Sequence, residues 1–159
     1  MDERFMEEAL KLAREAFEDG EVPVGCVIVR GEEIVGRGRN RREKGKSALA
    51  HAEIEAIGEA CRTLGGWRLW ECTLYVTLEP CPMCAGAIVN ARIPRVVYGA
   101  GDDKCGAVRS VCALFDMRFN HHPTVEAGLL EEECKTLLQE FFKNLRMELR
   151  TRPKWKPKQ

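Results

Sequence analysis

Apolar residues at positions 5, 6, 9, 10, 12, 13, 16 and 17 recur at helical spacing, which predicts a first helix over roughly 3–19 that Gly20 ends. Residues 22–30 form a nearly continuous apolar run, as expected of a buried strand. GEE at 31–33 reads as a turn, and the weakly alternating IVGRGRN behind it pairs back as a hairpin. A basic loop over 40–49 leads to HAEIEAIGEACRTLG, a helix over 51–65. Ile54, Ile57, Ala60, Cys61 and Leu64 share one face of it, and Gly65-Gly66 stops it. TLYVTL at 73–78 is a strand, residues 82–91 a short helix behind Pro80, and IPRVVYGA at 93–100 another strand. The Gly- and charge-rich segment 101–122 carries a short apolar helix near 107–115. TVEAG at 124–128 is a last strand, and eight apolar residues from Leu129 to Leu145 line one side of a long helix over 129–150.

Helices thus separate most strands after the first hairpin. That alternation predicts an α/β fold with a mixed, largely parallel sheet covered by helices on both faces. No repeat or linker interrupts it. Residues 1–150 read as one domain, and 151–159 as a basic, flexible tail rich in Pro and Lys.

Composition sets the context for the chemistry. At 159 residues, 45% hydrophobic and 31% charged, the chain has the profile of a soluble globular domain. No apolar run is long enough to span a bilayer, and the acidic, amphipathic start lacks the features of a secretory signal. A cytoplasmic protein is expected. Its eight cysteines then read as metal ligands, reactive thiols or small buried hydrophobes rather than a disulfide framework. Cys26 sits in an apolar run, and Cys61, Cys72, Cys112 and Cys134 among helix-like or strand-like patterns, so these five read as core; Trp67 and Trp70 flank a turn and read as packing residues. Cys105 lies in a Gly-bounded loop. Only Cys81 and Cys84, in PCPMC, form a spaced pair.

Net charge is zero but unevenly placed. Residues 143–159 carry seven basic side chains and one acid; the rest of the chain carries 18 basic and 24 acidic ones. With the basic run RGRNRREKGK at 37–46, the tail permits docking on a phosphate backbone, although the neutral total argues against indiscriminate coating of nucleic acid.

The Cys81–Cys84 pair has several readings: a redox couple, a structural zinc site completed by Cys105, His121 or His122, or part of a catalytic site. Cysteines at i and i+3 of a helix start point to one side, and a helix N-terminus favours thiolate. Helix N-termini of an α/β sheet gather along one edge, so His51, which opens the preceding helix, can join them. Three protein ligands leave one tetrahedral position open, the arrangement of a catalytic zinc, which brings the pKa of its water to roughly 7. Glu53, two residues after His51, is placed to move protons beside that water.

His51-Ala52-Glu53 followed by Pro80-Cys81-Pro82-Met83-Cys84 resembles the H-x-E…P-C-x-x-C signature of zinc-dependent nucleobase deaminases. The flanking sequence resembles one branch more closely. EVPVGCVIV at 21–29, GRN at 38–40, AHAEIEAI at 50–57, WRLWECTLYVTLEPCPMCAGAI at 67–88 and RVVYGAGDDKCGA at 95–107 are similar to the bacterial tRNA-specific adenosine deaminases of the cytidine deaminase-like superfamily. NH at 120–121 and GLLEEEC…FF at 128–142 extend the resemblance to about residues 3–149.

That resemblance implies a three-layer α-β-α sandwich with a five-stranded sheet. It implies conversion of adenosine to inosine at the wobble position of a tRNA anticodon, usually an arginine tRNA, by a homodimer holding one zinc per subunit. By motif position, His51, Cys81 and Cys84 bind zinc and Glu53 shuttles protons. Asn40 hydrogen-bonds the target base, and Val22, Pro23 and Leu78 pack along it. The main-chain N–H near Ala52 and the Pro80 carbonyl orient the reacting groups. Asp102 lies near the nucleotide's sugar, and Phe142 lines the anticodon pocket. Two loops depart from the family pattern: RREKGKSAL before the HAE helix, where many members carry Pro and Asp elements, and VRSVCALF after residue 107. A deaminase of free guanine or cytosine and a catalytically silent RNA-binding partner are the competing readings, since HAE and PCxxC mark only the superfamily.

Overall fold

The computed structural model describes residues 1–151; the rest of the expected basic tail lies outside the described residues. The chain runs α1 (Asp2–Glu18), β1 (Gly25–Arg30), β2 (Glu33–Arg39), α2 (Ala52–Leu64), β3 (Cys72–Leu78), α3 (Pro82–Asn90), β4 (Arg95–Ala100), a 3₁₀ turn (Leu114–Asp116), β5 (Thr124–Ala127) and α4 (Glu131–Thr151). The five strands form one sheet in the order β2-β1-β3-β4-β5.

Alternate residues of each central strand serve opposite faces, as the two-residue period of a strand requires. Cys26, Ile28, Leu74, Val76, Val96 and Tyr98 meet Ala56 and Ala60 of α2 and Ala85 and Ile88 of α3. Val27, Val29, Tyr75 and Val97 meet Phe5, Met6, Ala9 and Leu10 of α1, and Cys134 of α4. The result is the expected three-layer α-β-α sandwich.

Small residues let α2 lie close on the sheet. Its inner face is Ala52, Ala56 and Ala60, and β2 answers with Gly36 and Gly38. A Cβ on Gly38 would fall 2.0 Å from the Ala52 carbonyl oxygen, and one on Gly36 would fall 2.3 Å from that of Ala56.

Four expectations need correction. The sheet is not largely parallel: β1 runs antiparallel to both β2 and β3, while β3-β4 and β4-β5 are parallel. The reason is that β3 returns over α2 to the far side of β1 rather than beside β2. The first strand begins at Gly25, with Val22-Pro23-Val24 leading into it outside the ladder. No α-helix forms over 107–115, because the amides of Val108, Arg109 and Ser110 are taken by the Glu79 carboxylate, leaving only the short 3₁₀ turn. Finally, Cys112 is exposed and Cys61 half-buried, while Cys26, Cys72 and Cys134 are core as expected. Trp67 and Trp70 are also solvent-facing, at 50% and 60% exposure, with the Arg68 guanidinium 4.1 Å from the Trp67 ring centre.

One edge of the sheet collects what the site needs. Leu78 pairs with Ala100, so β3 and β4 end together there. Gly25 pairs with Arg39, and its N–H reaches the Thr77 hydroxyl at 3.2 Å, which brings the start of β1 and the end of β2 to the same edge.

Candidate metal centre and active site

α2 and α3 both start at that edge. His51 is the N-cap of α2 and Cys81 the N-cap of α3, each in extended backbone just before its helix. Pro82 follows at the first helical position, where a missing N–H costs nothing, and Cys84 completes the first turn. The His51 Nδ1 atom lies 3.6 Å from the Cys81 Sγ and 3.5 Å from the Cys84 Sγ. All three ligand atoms lie within 4.8 Å of one another, and no other such group of donors converges among the described residues. The three can hold a metal ion.

Their protonation is shared. The Cys84 thiol, with help from His51, holds Cys81 down at about 4. The same hydrogen bond, together with burial, pushes Cys84 up, and Cys81 pushes His51 up. The group titrates as one unit around shared protons, and a bound cation would displace them.

Glu53 sits in the first turn of α2, 4% exposed. Burial is the main cause that lifts its carboxyl to about 7, and the Cys81 charge adds to it. A carboxyl poised near neutrality can both take and give a proton.

Two loops flank this group. On one side, Asn40 is 5% exposed, donates to the Val22 carbonyl at 3.2 Å and accepts the Arg42 N–H at 3.2 Å. One amide hydrogen and one lone pair of Asn40 stay uncommitted in this arrangement. Val22 is half-buried and Pro23 buried beside it. Ala52 is buried at the first turn of α2, where main-chain N–H groups have no helical acceptor. On the other side, Leu78 is half-buried and Pro80 buried. The Pro80 carbonyl already accepts the Ala107 N–H at 2.9 Å, so only its second lone pair is free for substrate. The half-buried Asp102 uses one carboxylate oxygen to turn its own loop, accepting the N–H groups of Lys104 and Cys105 at 3.1 and 3.2 Å.

Phe142 stands apart from this cluster. It is 41% exposed on α4, its ring edge-on to Phe141 at 5.4 Å, and Phe141 meets Phe17 of α1 at 6.0 Å.

Two acids escaped the sequence reading. Glu21 is 1% exposed and accepts the N–H groups of Glu43 and Lys44 at 2.8 and 3.1 Å, pinning the basic loop. Glu79 is 2% exposed and gathers the loop after β4. Burial alone would raise the Glu79 carboxyl, but the Ser110 hydroxyl and the amides of Arg109, Ser110 and Asp102 outweigh it and hold the group at about 2. The available signal was position: each acid directly adjoins an apolar, element-forming segment.

The MafB19-like deaminase family matches residues 1–146. The chain belongs to this deaminase family. The deaminase is 52% identical over 146 residues to the tRNA-specific adenosine deaminase of Bacillus subtilis (strain 168), covering 91% of each chain. It superposes on a solved tRNA:A34 deaminase from a study of A-to-I editing at the wobble position, with a TM-score of 0.82, 48% identity, and 85% and 99% of the two chains covered. A guanine deaminase from Nitrosomonas europaea is more distant: 26% identical, TM-score 0.71, with 87% and 83% covered. The resemblance to bacterial tRNA-specific adenosine deaminases is borne out. Among the described residues, no helix of the deaminase is long and apolar enough to cross a membrane.

Proposed function

We propose that this deaminase converts the wobble adenosine of a tRNA anticodon to inosine by zinc-dependent hydrolysis. The observation that carries the reading is the convergence of His51 Nδ1 with two cysteine sulfurs beside buried Glu53, in a chain about half identical to tRNA-specific adenosine deaminases.

The donor set supports zinc. Two thiolates and one imidazole are ligands that zinc favours. Zn–S and Zn–N bonds at a tetrahedral angle put S and N about 3.6 Å apart. The observed separations are 3.6 and 3.5 Å. When bound, zinc makes a water acidic enough to act as a nucleophile near neutral pH.

The chain's own groups do the rest. An adenine stacked in the anticodon loop hides its C6, so the base must be splayed out at a cost of a few kcal/mol, less in a loop than in a duplex. Val22, Pro23 and Leu78 pack along the base, and the uncommitted capacity of Asn40 reads its edge. Glu53 takes a proton from the attacking water, passes it to the ring nitrogen, and assists departure of the amino group. One water is consumed, one ammonia leaves, and inosine remains. Asp102 stands beside the nucleotide's sugar, and Phe142 lines the surface for neighbouring anticodon bases.

Residues 1–150 act as one domain in a cytoplasmic homodimer, with the RNA docked near the subunit boundary. Val111, Met117 and Phe119 are exposed apolar side chains after β4, at 59%, 54% and 44%, and burial against a second copy would remove them from water. The basic loop and tail meet phosphates, so neutralising the tail flattens the salt dependence of binding by roughly 0.7–0.9 in slope per lost contact. The test uses metal-replete protein and a Glu53→Ala variant on an anticodon stem-loop. Inosine from the first, and unaltered RNA with unchanged affinity from the second, supports the enzyme. Binding without turnover by the wild type makes it a silent RNA partner instead.

A further inference from the structure

Glu79 lies between the end of β3 and the ligand Cys81, and its carboxylate is used heavily. Its Oε1 accepts the Asp102 N–H at 3.1 Å and the Ser110 hydroxyl. Its Oε2 accepts the N–H groups of Val108, Arg109 and Ser110 at 3.0, 2.8 and 3.0 Å. No cation faces it in an ion pair among the described residues. An unpaired buried carboxylate is costly unless hydrogen bonds replace its water, and here a ring of main-chain amides does so.

The loop is shaped to this anion. A Cβ on Gly106 would fall 2.4 Å from the carboxylate carbon, so the loop closes directly over it. The backbone is anchored as well: the Glu79 N–H donates to the Ala100 carbonyl at 2.8 Å, and the Ala107 N–H to the Pro80 carbonyl at 2.9 Å. The two carboxylate oxygens thus hold the two ends of one loop. Oε1 fixes the Asp102 end and also takes the Ser110 hydroxyl, and Oε2 takes all three amides of the 108–110 end.

We propose that Glu79 is a positioning residue for substrate: it sets the Asp102 end of the 101–110 loop at the mouth of the site, and so governs how RNA fits rather than the chemistry at C6. This rests on the wobble-adenosine reading above. Glu79 touches neither base nor metal; it acts through Asp102.

Glu79→Gln separates the two ends. A glutamine keeps one acceptor oxygen. That oxygen best serves the three amides of 108–110, which leaves the glutamine NH₂ facing the Asp102 N–H and the Ser110 hydroxyl; the hydroxyl can turn to accept from it, but the Asp102 N–H cannot. The loss falls on Asp102 and spares His51, Cys81 and Cys84.

The experiment measures kcat and KM on an anticodon stem-loop for wild type, Glu79→Gln, Asp102→Ala and the double variant, with zinc content and amide exchange of the same proteins. Glu79→Gln should raise KM about tenfold and change kcat less than about threefold. Zinc should stay at one per chain, and the Asp102 amide should exchange faster while 108–110 stay protected. Since both residues act on one contact, the double variant should show little more KM loss than Asp102→Ala alone. Full multiplication of the two KM effects, a fall in kcat that tracks lost zinc, or an unchanged Asp102 amide overturns the proposal. If the wild type leaves RNA intact but deaminates a free base, the wobble reading fails, and the same cycle on that base decides the role of Glu79.

Discussion

Gly38→Ala tests whether the closeness of α2 to the sheet sets the site. The added Cβ would lie 2.0 Å from the Ala52 carbonyl oxygen, 2.7 Å from the Ala56 nitrogen and 3.0 Å from the Glu55 Cβ. Two of these atoms are backbone, so no side chain can swing away. Ordinary contact is about 3.5 Å, and the start of α2 must retreat by roughly 1.5 Å to reach it. Overpacking of this kind costs about 1–3 kcal/mol. The same shift carries His51 away from sulfurs that now sit 3.5 and 3.6 Å from its Nδ1, and moves Glu53 with it. A misplacement near 1 Å costs about a hundredfold in rate. Urea unfolding, zinc titration and inosine formation are measured together, with Gly66→Ala as control, since a Cβ there meets nothing within 4 Å. Gly38→Ala that folds, binds zinc as tightly as the wild type and turns over within about threefold of it refutes the reasoning.

Glu53→Gln keeps shape and burial but cannot carry the proton, so turnover should fall by about two orders of magnitude or more with zinc content unchanged; stopped assays and metal analysis check this. The Glu79 carboxyl is held at about 2 against an ordinary 4.5, so its contribution is present above pH 4.5 and is lost as the pH falls toward 2. Between pH 7 and pH 3 that loss is about 2 kcal/mol. Urea unfolding of wild type should therefore weaken over this range by about that much more than Glu79→Gln, and parallel curves would count against it. Glu21→Ala strands the amides of Glu43 and Lys44, so stability should drop by about 1–3 kcal/mol, with faster amide exchange confined to the basic loop.

Much of this was legible in the sequence because it is local. Helical spacing located α1, α2 and α4 within a few residues, and the spaced motifs named His51, Glu53, Cys81 and Cys84 before any geometry. What escaped was long-range. Nothing in the period of residues 73–78 says that β1 pairs with them antiparallel. The apolar stretch near 107–115 has a helical look, yet its amides serve a carboxylate about 30 positions earlier in the chain. Glu21 and Glu79 escaped because the amides that donate to their carboxylates lie in other segments. Cys112 fell in a helix-like stretch and Trp67 and Trp70 flank a turn, but all three face solvent, since turns at 65–71 and 103–112 carry them outward.

In the proposed reaction the His51, Cys81, Cys84 and Glu53 group deaminates adenosine in RNA, at one position. The most direct measurement gives zinc-loaded protein two anticodon stem-loops, one with adenosine at the wobble position and one with it moved a single nucleotide, beside free guanine and cytosine. One inosine and one ammonia per wobble RNA are expected, and neither from the other substrates. Ammonia released from a free base while both RNAs stay intact would contradict the proposed reaction.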